Sequence, residues 1–451
     1  MAKFFFIAIL FALFGWIWYK YRDIHKFIFF SFLFTATLRV GYIFYRYNGI
    51  LLLDIPLLLL LLFEAQYYKK FRFLVPGISG LFLFFILWSV FVSISIGWMQ
   101  ENSLAEVSKF IRALLIFVAV YNFILWKKDV RFFVQSLLLI ILFHALVSIY
   151  QWRLGNVGLY MLGEVGGWSY RAYGLFQHPN FLGDYLAFVI PLIIRLFYFD
   201  RSKKYYFYGI MLGISLLSLF ITFARGAWIG MILAVGMMLM IDVAMQHFRK
   251  VKKVSIAVSI LFVTVFLIHY MPSIQKRFET DLSAKGGSAR IRIPLMKVAL
   301  RMIHDRPIIG VGFTNYELWA GDYAFQYGVF SKKTLSQIVH NSYLLMAAEI
   351  GIPGLLIYLI LIGKILASAA SNYRSKIPII RNVSIGILWG MVAVLLEFMT
   401  GPDYMVHEIL NMFWILAGVV VALKKLNLQI LAALKVGNVL LARSAIEQVT
   451  S

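Results

Sequence analysis

The stretch GISGLFLFFILWSVFVSISIGW, residues 77–98, contains no charged side chain. As a helix rising 1.5 Å per residue it spans about 33 Å, enough to cross a hydrocarbon core of about 30 Å. Lipid offers nothing to an unpaired backbone amide, so a stretch of this kind must be helical. The rest of the chain follows the same pattern: of 451 residues, 62% are hydrophobic, 17% aromatic and only 14% charged. That composition excludes an ordinary soluble domain and predicts an all-α, polytopic integral membrane protein.

Working outward from 77–98, further apolar spans are expected at 4–19, 27–45, 49–63, 104–126, 132–152, 180–199, 205–223, 226–244, 254–270, 343–369, 379–400 and 408–423. That makes about thirteen, within a range of 12–14. Arg39 falls inside the second. The first span follows a lone Lys3, ends in aromatic residues and has no small-residue cleavage site, so it reads as a retained helix. The connections KYRDIHK (20–26), KKFR (69–72), KKDVR (127–131), DRSKK (200–204), HFRKVKK (247–253), NYRSK (372–376) and KK (424–425) are short and basic, hence cytoplasmic by the positive-inside rule. The segments between them then lie outside, including the two longest loops, 153–179 and 271–342, and GPDYMVHE (401–408). A formal charge of +23 follows from this topology and does not call for nucleic acid.

Five regions are expected: N-terminal spans over 1–152, central spans with an Arg-bearing outer loop over 153–270, a large extracytoplasmic loop with its own helix over 271–342, C-terminal spans over 343–423, and a tail over 424–451. The tail carries apolar residues at helical spacing around Lys435 and Arg443, the pattern of an amphipathic helix on the cytoplasmic membrane surface. The chain has no cysteine, which removes disulfides, thiolate nucleophiles and cysteine metal sites.

Four outer stretches carry candidate chemistry. In RAYGLFQHPN (171–180), Arg171 precedes a helix start, where free amides and a guanidinium together suit an anion. The competing reading is an interfacial arginine with Asn180 capping a helix. In FARGAWIG (223–230), Arg225 lies either in a tight turn between two spans or buried inside one helix; both placements mark a functional candidate. SARIRIPLMKVALRMIHD (288–305) predicts a helix over about 290–304 bearing Arg290, Arg292, Lys297 and Arg301. In QIVHNSYLLMAAEIGIPG (337–354), His340 and Asn341 stand at the mouth of a span that the Gly351–Gly354 cluster is expected to break. A lone histidine is often structural; here it is also placed to act as a base near neutral pH.

Together these stretches resemble the O-antigen ligase and O-antigen polymerase superfamily of bacterial undecaprenyl-diphosphate-dependent membrane glycosyltransferases. His340-Asn341, nine residues, then Gly351-x-x-Gly354 is similar to the ligase-type pattern without a gap. RAYGLFQHPN, FARGAWIG and DRPIIGVGFTNY (305–316) resemble further family elements, with Ala224 where the family has Ser. The family's loop-helix Arg usually precedes a Trp, which this chain lacks, so Arg290 and Arg292 both remain candidates, Arg290 preferred. The resemblance covers about residues 165–365. It implies a GT-C-like membrane enzyme facing the periplasm or cell exterior from the bacterial cytoplasmic membrane. Its partners would be an undecaprenyl-diphosphate-linked glycan donor, a glycan, lipid or protein acceptor, and membrane lipids. His340 would deprotonate the acceptor hydroxyl, giving inversion; Arg171, Arg225 and Arg290 would hold the diphosphate, with Asn180, Arg292 and Asn341 in support. No acidic cluster with metal-ligand spacing stands out in the outer loops, so neither metal nor other cofactor is expected.

Two rivals are weighed. A polymerase of the same superfamily differs in extending the glycan by repeat units. A secondary transporter would need ionisable groups near the bilayer midplane, for which Asp184, Asp242, Glu349 and Glu397 are the candidates.

Overall fold

The computed structural model describes residues 2–38, 54–66, 76–96, 101–154, 171–199, 205–245, 288–326, 338–435 and 446–448. Fourteen α-helices make up most of these residues: α1 (Ala2–Tyr21), α2 (Ile24–Ala36), α3 (Asp54–Gln66), α4 (Ile78–Ser95), α5 (Glu101–Lys127), α6 (Val130–Leu154), α7 (Pro179–Phe199), α8 (Tyr205–Ile221), α9 (Arg225–Ala244), α10 (Ser288–Asp305), α11 (Tyr316–Gln326), α12 (Ser342–Ser371), α13 (Pro378–Glu397) and α14 (His407–Lys435). Among the described residues there is no strand. Eight helices (α4, α5, α6, α7, α9, α12, α13 and α14) are long and apolar enough to cross a membrane, and shorter apolar helices lie within α1, α2 and α8. The chain is an all-α polytopic membrane protein. Arg39 and the span expected at 254–270 lie outside the described residues, and 49–63 supplies the thirteen-residue α3.

α13 packs against α7 and α9, while α14 packs along α5. The contact with α7 is close because Gly386 and Gly390 lie one turn apart. A Cβ at Gly390 would overlap the Phe188 carbonyl, and one at Gly386 would come within 2.5 Å of the Leu192 backbone. Small residues let helix backbones approach in lipid, where apolar association has no hydrophobic drive.

The bundle has two chemically distinct ends. At one, Lys26 pairs with Asp129 (2.5 Å) and Lys127 with Asp23 (2.7 Å), tying together the segments 20–26 and 127–131. α5 and α14 run side by side, with Gly418 against Phe117, so Asn427 reaches this same end and accepts from Ser375 Oγ (2.8 Å). Among the described residues, the basic segments 20–26, 127–131, 372–376 and 424–425 therefore gather at one end. The opposite end holds residues 171–180, 222–225, 340–342 and 397–403. The tail does not begin as a separate helix at 424: α14 continues unbroken to Lys435, with Leu426 and Ile430 buried. Residues 436–445 lie outside the described part.

Arg195 of α7, 1% exposed, is paired with Asp242 of α9 and also donates to Asn382 Oδ1 of α13 (3.1 Å), so one guanidinium joins three helices near the basic end. Removing one partner of such a pair leaves an uncompensated buried charge, which costs about 3–5 kcal/mol. Arg195→Met should therefore lower the thermal unfolding temperature of the detergent-solubilised protein sharply. Arg195→Met combined with Asp242→Leu should recover most of the loss. A double variant as unstable as the single would show that the pair is not what couples the helices.

Candidate functional site

α12 is not straight. Gly351 adopts φ 74°, ψ 172° within it, a conformation that L side chains rarely take. The break frees the carbonyls of Ala348, Glu349 and Ile350, and each finds a partner from a distant part of the chain. Val311 N–H donates to Ala348 O (2.8 Å), Gly312 N–H to Glu349 O (3.0 Å) and Trp88 Nε1–H to Ile350 O (2.9 Å). In return Ile352 N–H donates to Pro307 O (2.8 Å). The PIIGVG element thus plugs the gap in the helix that follows His340. Contact is so close that a Cβ at Gly351 would overlap the Ile308 carbonyl.

The bend decides where His340 goes. Ser342 N–H donates to Phe398 O (2.8 Å), while Asn372 Nδ2 donates to Ser384 Oγ (2.9 Å) at the other end of α12. Along α13 the rise from residue 384 to 398 is about 21 Å, whereas a straight helix over α12 would measure about 45 Å. α12 must fold over to meet both points, and its first arm then carries His340 across the end of α13. Asn341 caps that arm by accepting from Tyr343 N–H (3.0 Å) and Leu344 N–H (2.9 Å), a bond type worth about 1 kcal/mol. Its Nδ2 donates to Met399 O (3.1 Å), and Ser342 Oγ donates to Gly401 O (2.7 Å). His340 is half-buried above this anchored cap, and among the described residues none hydrogen-bonds its ring.

Arg171 is 7% exposed. Its Nε donates to Thr222 O (2.7 Å), and its Nη2 to Asn180 Oδ1 (2.7 Å) and, at 3.4 Å, to Phe223 O. With Ala172 N–H donating to Ile221 O (2.9 Å), the 171–172 segment clamps the turn that joins α8 to α9. This turn is tight, with Phe223 at φ 52°, and ends in Arg225, the half-buried first residue of α9. The turn reading of Arg225 holds, and the single-helix alternative does not. Asn180 does not cap α7, which starts at Pro179; its side chain serves Arg171 instead.

His178 accepts from Asn180 N–H through Nδ1 (3.1 Å). Burial, then the charges of Arg171 and His340, push it down to about 4. The His340 imidazole is also held below the ordinary histidine value, by burial first and Arg292 second. Arg292 of α10 therefore lies within electrostatic reach of His340, and it reaches Asp403 as well. Arg290 stands in the first turn of the same helix; its side chain is outside the described part.

Beneath these cations three buried carboxylates converge from separate elements: Asp184 on α7, Glu397 at the end of α13 and Asp403 in the turn before α14. One oxygen of each lies within 4.8 Å of the others, close enough to hold a metal ion. Gly226, next to Arg225, abuts Glu397 and Thr400. Burial raises Asp403 above the ordinary carboxylate range. The expectation concerned acids spaced along the outer loops; this cluster forms otherwise, since folding brings two acids from helices together with Asp403 from a turn, at positions far apart in sequence. Asp184 and Glu397 carried a signal, as acids inside apolar spans; Asp403 and His178 carried none that singled them out.

The ensemble gathers guanidiniums, imidazoles and carboxylates at one end of a polytopic membrane protein. Residues 210–359, about one third of the chain, match the family model described as O-Antigen ligase, and that match supports the likeness to the O-antigen ligase superfamily. The matched stretch contains Arg225, Arg290, Arg292, His340 and Gly351; Arg171, Asn180 and the three acids lie outside it. No curated protein matches the chain. For this polytopic membrane protein the match supports, at the level of the family, an enzyme of lipid-linked glycans of the ligase or polymerase type.

Gly351→Ala tests the break. Strain at positive φ and the clash with Ile308 O should release the 307–312 loop, lowering stability by about 1–3 kcal/mol and opening that loop to limited proteolysis. Unchanged protease resistance and melting would show that the loop does not depend on Gly351.

Proposed function

We propose that the protein transfers a glycan from undecaprenyl diphosphate to an acceptor hydroxyl at the outer face of the bacterial cytoplasmic membrane, as a ligase, with inversion and without a metal. The observation that carries this reading is the half-buried His340 ring, open to an incoming hydroxyl and biased towards its neutral form, on the same end of the bundle as Arg225 and Arg292. The acceptor hydroxyl gives its proton to His340, its oxygen attacks the sugar C1, and the C1–O bond to the diphosphate breaks with the electron pair leaving on the phosphate oxygen. Developing negative charge meets the guanidiniums of Arg225 and of Arg290 or Arg292, which can act bidentately on phosphate. Arg171 contributes charge to the same end while holding the turn that aims Arg225.

Burial raises Asp403, which favours its protonated form beneath the site. Against the transporter reading stands the placement of its candidate acids: Asp242 pairs with Arg195 near the basic end, while Asp184 and Glu397 sit with Asp403 at the other. A polymerase would share this chemistry and differ in acceptor. Cells lacking the protein should accumulate long carrier-linked chains, whereas a polymerase defect would leave single repeat units.

If His340 is the base, His340→Ala should cut transfer 10²- to 10⁴-fold at matched folded protein. His340→Gln should be nearly as inactive, since an amide takes no proton near neutral pH. Because a base acts in its neutral form and the pKa of His340 is lowered, the rate should stay flat down to about pH 6.5 and fall only below it. Arg292→Gln removes a positive charge that favours the neutral ring, so it should move that fall to higher pH. Chelation with EDTA should leave the parent rate unchanged. A His340→Gln enzyme at near-parent rate would end the general-base assignment.

Orientation has its own test. Glu317 of α11 is exposed, and the chain has no cysteine to compete. Glu317→Cys should react with a membrane-impermeant maleimide in spheroplasts or intact cells; labelling only after lysis would reverse the topology.

A further inference from the structure

Two helix-to-helix corners at the basic end of the bundle are built alike. In the first, α1 ends with Arg22 N–H donating to Trp18 O (2.9 Å), and Asp23 opens α2 by accepting from the backbone N–H groups of His25 and Lys26. In the second, α5 ends with Lys128 N–H donating to Ile124 O (2.9 Å), and Asp129 opens α6 by accepting from Phe132 N–H (2.8 Å). Each aspartate also pairs with a lysine of the other corner, Asp23 with Lys127 and Asp129 with Lys26, so the two corners are locked side by side. Both acids are thereby committed to the fold. Segments 20–26 and 127–131 hold six lysines and arginines against these two aspartates. The surplus includes Arg22, Lys128 and Arg131, and among the described residues none of the three forms an ion pair.

The backbone singles out the first two of these. Arg22 (φ 45°) and Lys128 (φ 53°) both stand in the left-handed region just after a helix, the position that glycine usually fills. A basic side chain at such a position, twice, in two corners bonded to each other, is a charge kept against the preference of the backbone. Beside the first corner the last turns of α1 expose Trp16, Trp18 and Tyr19, amphipathic rings of the kind that line a membrane interface, with the Arg22 guanidinium 5.9 Å from the Tyr19 ring centre. The amides that start α2 and α6 are already bonded to Asp23 and Asp129, so an anion here must be gripped by side chains. We propose that the paired corners form a headgroup site for an anionic phospholipid with two phosphates, of the cardiolipin type. One phosphate takes Arg22, the other takes Lys128 and Arg131, and the acyl chains descend beside Trp18. Two features select this lipid over one with a single phosphate. The cations come in two sets, one on each corner, and the Asp23–Lys127 pair fixes the spacing between the sets because its members adjoin Arg22 and Lys128 in the chain. The charge bias of membrane-protein loops explains the number of cations, but not the placing of two of them at positive φ.

The test uses the full-length protein in a neutral detergent and native mass spectrometry, with cardiolipin and with phosphatidylglycerol at matched phosphate. The parent should retain a cardiolipin that is displaced by further cardiolipin and not by phosphatidylglycerol. Arg22→Gly/Lys128→Gly suits the positive φ and removes the charges, so it should melt close to the lipid-free parent. It should bind cardiolipin about thirtyfold more weakly, the loss expected for two cations at a membrane surface. Lys424→Gln/Lys425→Gln removes the same charge from α14 at the same end and should bind as the parent does. Equal loss in the two double variants would make the attraction one of general charge and overturn the site. Equal displacement by phosphatidylglycerol would do the same, as would a parent that retains no cardiolipin. Displacement needs only the parent protein, so it decides the matter even if the glycine variant fails to fold.

Discussion

A broken helix within a membrane protein leaves carbonyls that lipid cannot satisfy, and each one left unmet costs about 1–3 kcal/mol. At Gly351 three such carbonyls are met by the amides of Val311 and Gly312 and by the indole of Trp88. Much of the site follows from that exchange. It pins the 307–312 loop to α12, and through the turn where Gly310 N–H donates to Arg306 O (3.0 Å) it fixes the end of α10, the helix that brings Arg292 towards His340. It also sets the bend that swings the first arm of α12 across the end of α13. A histidine on a straight helix would stand well clear of the 397–403 turn; on the bent one its neighbours Asn341 and Ser342 are bonded to that turn.

The chemistry is layered by charge. Cations line the outer level, two imidazoles with lowered proton affinity sit among them, and three carboxylates lie beneath. The order has a physical logic. Ionised acids so close to Arg225 and Arg292 would pair with them and compete with a diphosphate. Burial, which raises Asp403, weakens that competition without removing the polar groups that shape the floor. The same burial, with the charge of Arg292 second, lowers the His340 imidazole below the ordinary histidine value and so favours its neutral form. In the proposed reaction cation and base would support each other: Arg292, a candidate holder of the leaving group, also favours the neutral form of His340.

How much of this was legible in the sequence depends on the distance over which the information acts. The spans follow from runs of apolar residues, and the α8–α9 turn from an isolated Arg225 between two such runs; both are local signals. The break at Gly351 was legible too, since glycine and proline mark it directly, but its partner loop was not, because nothing in PIIGVG states that its amides will seek carbonyls forty residues away. The acid cluster was invisible for the same reason: Asp184, Glu397 and Asp403 have no common spacing and meet only when α7 packs against α13. Helix α14 outran the expected boundary at 424 because Lys424 and Lys425 can direct their charges away from a helix whose Leu426 and Ile430 remain buried.

Arg171 shows how a motif can be right in position and incomplete in role. Its place in RAYGLFQHPN suggests a guanidinium waiting for phosphate, yet in the folded chain Nε and Nη2 are directed at Thr222 O, Phe223 O and Asn180 Oδ1. A planar fork suits that task because it reaches a turn carbonyl and an α7 side chain at once, which the single ammonium of lysine could not do with the same geometry. The turn it holds is strained at Phe223 and ends in Arg225, so the placement of the second arginine depends on the first. Under the proposed function, loss of either would weaken the grip on the diphosphate at the same end of the bundle. For Arg225 the loss would be of a charge at the site, and for Arg171 chiefly of the backbone that aims it. Two arginines that look equivalent in a motif therefore act at successive levels, one shaping the turn and the other presented by it.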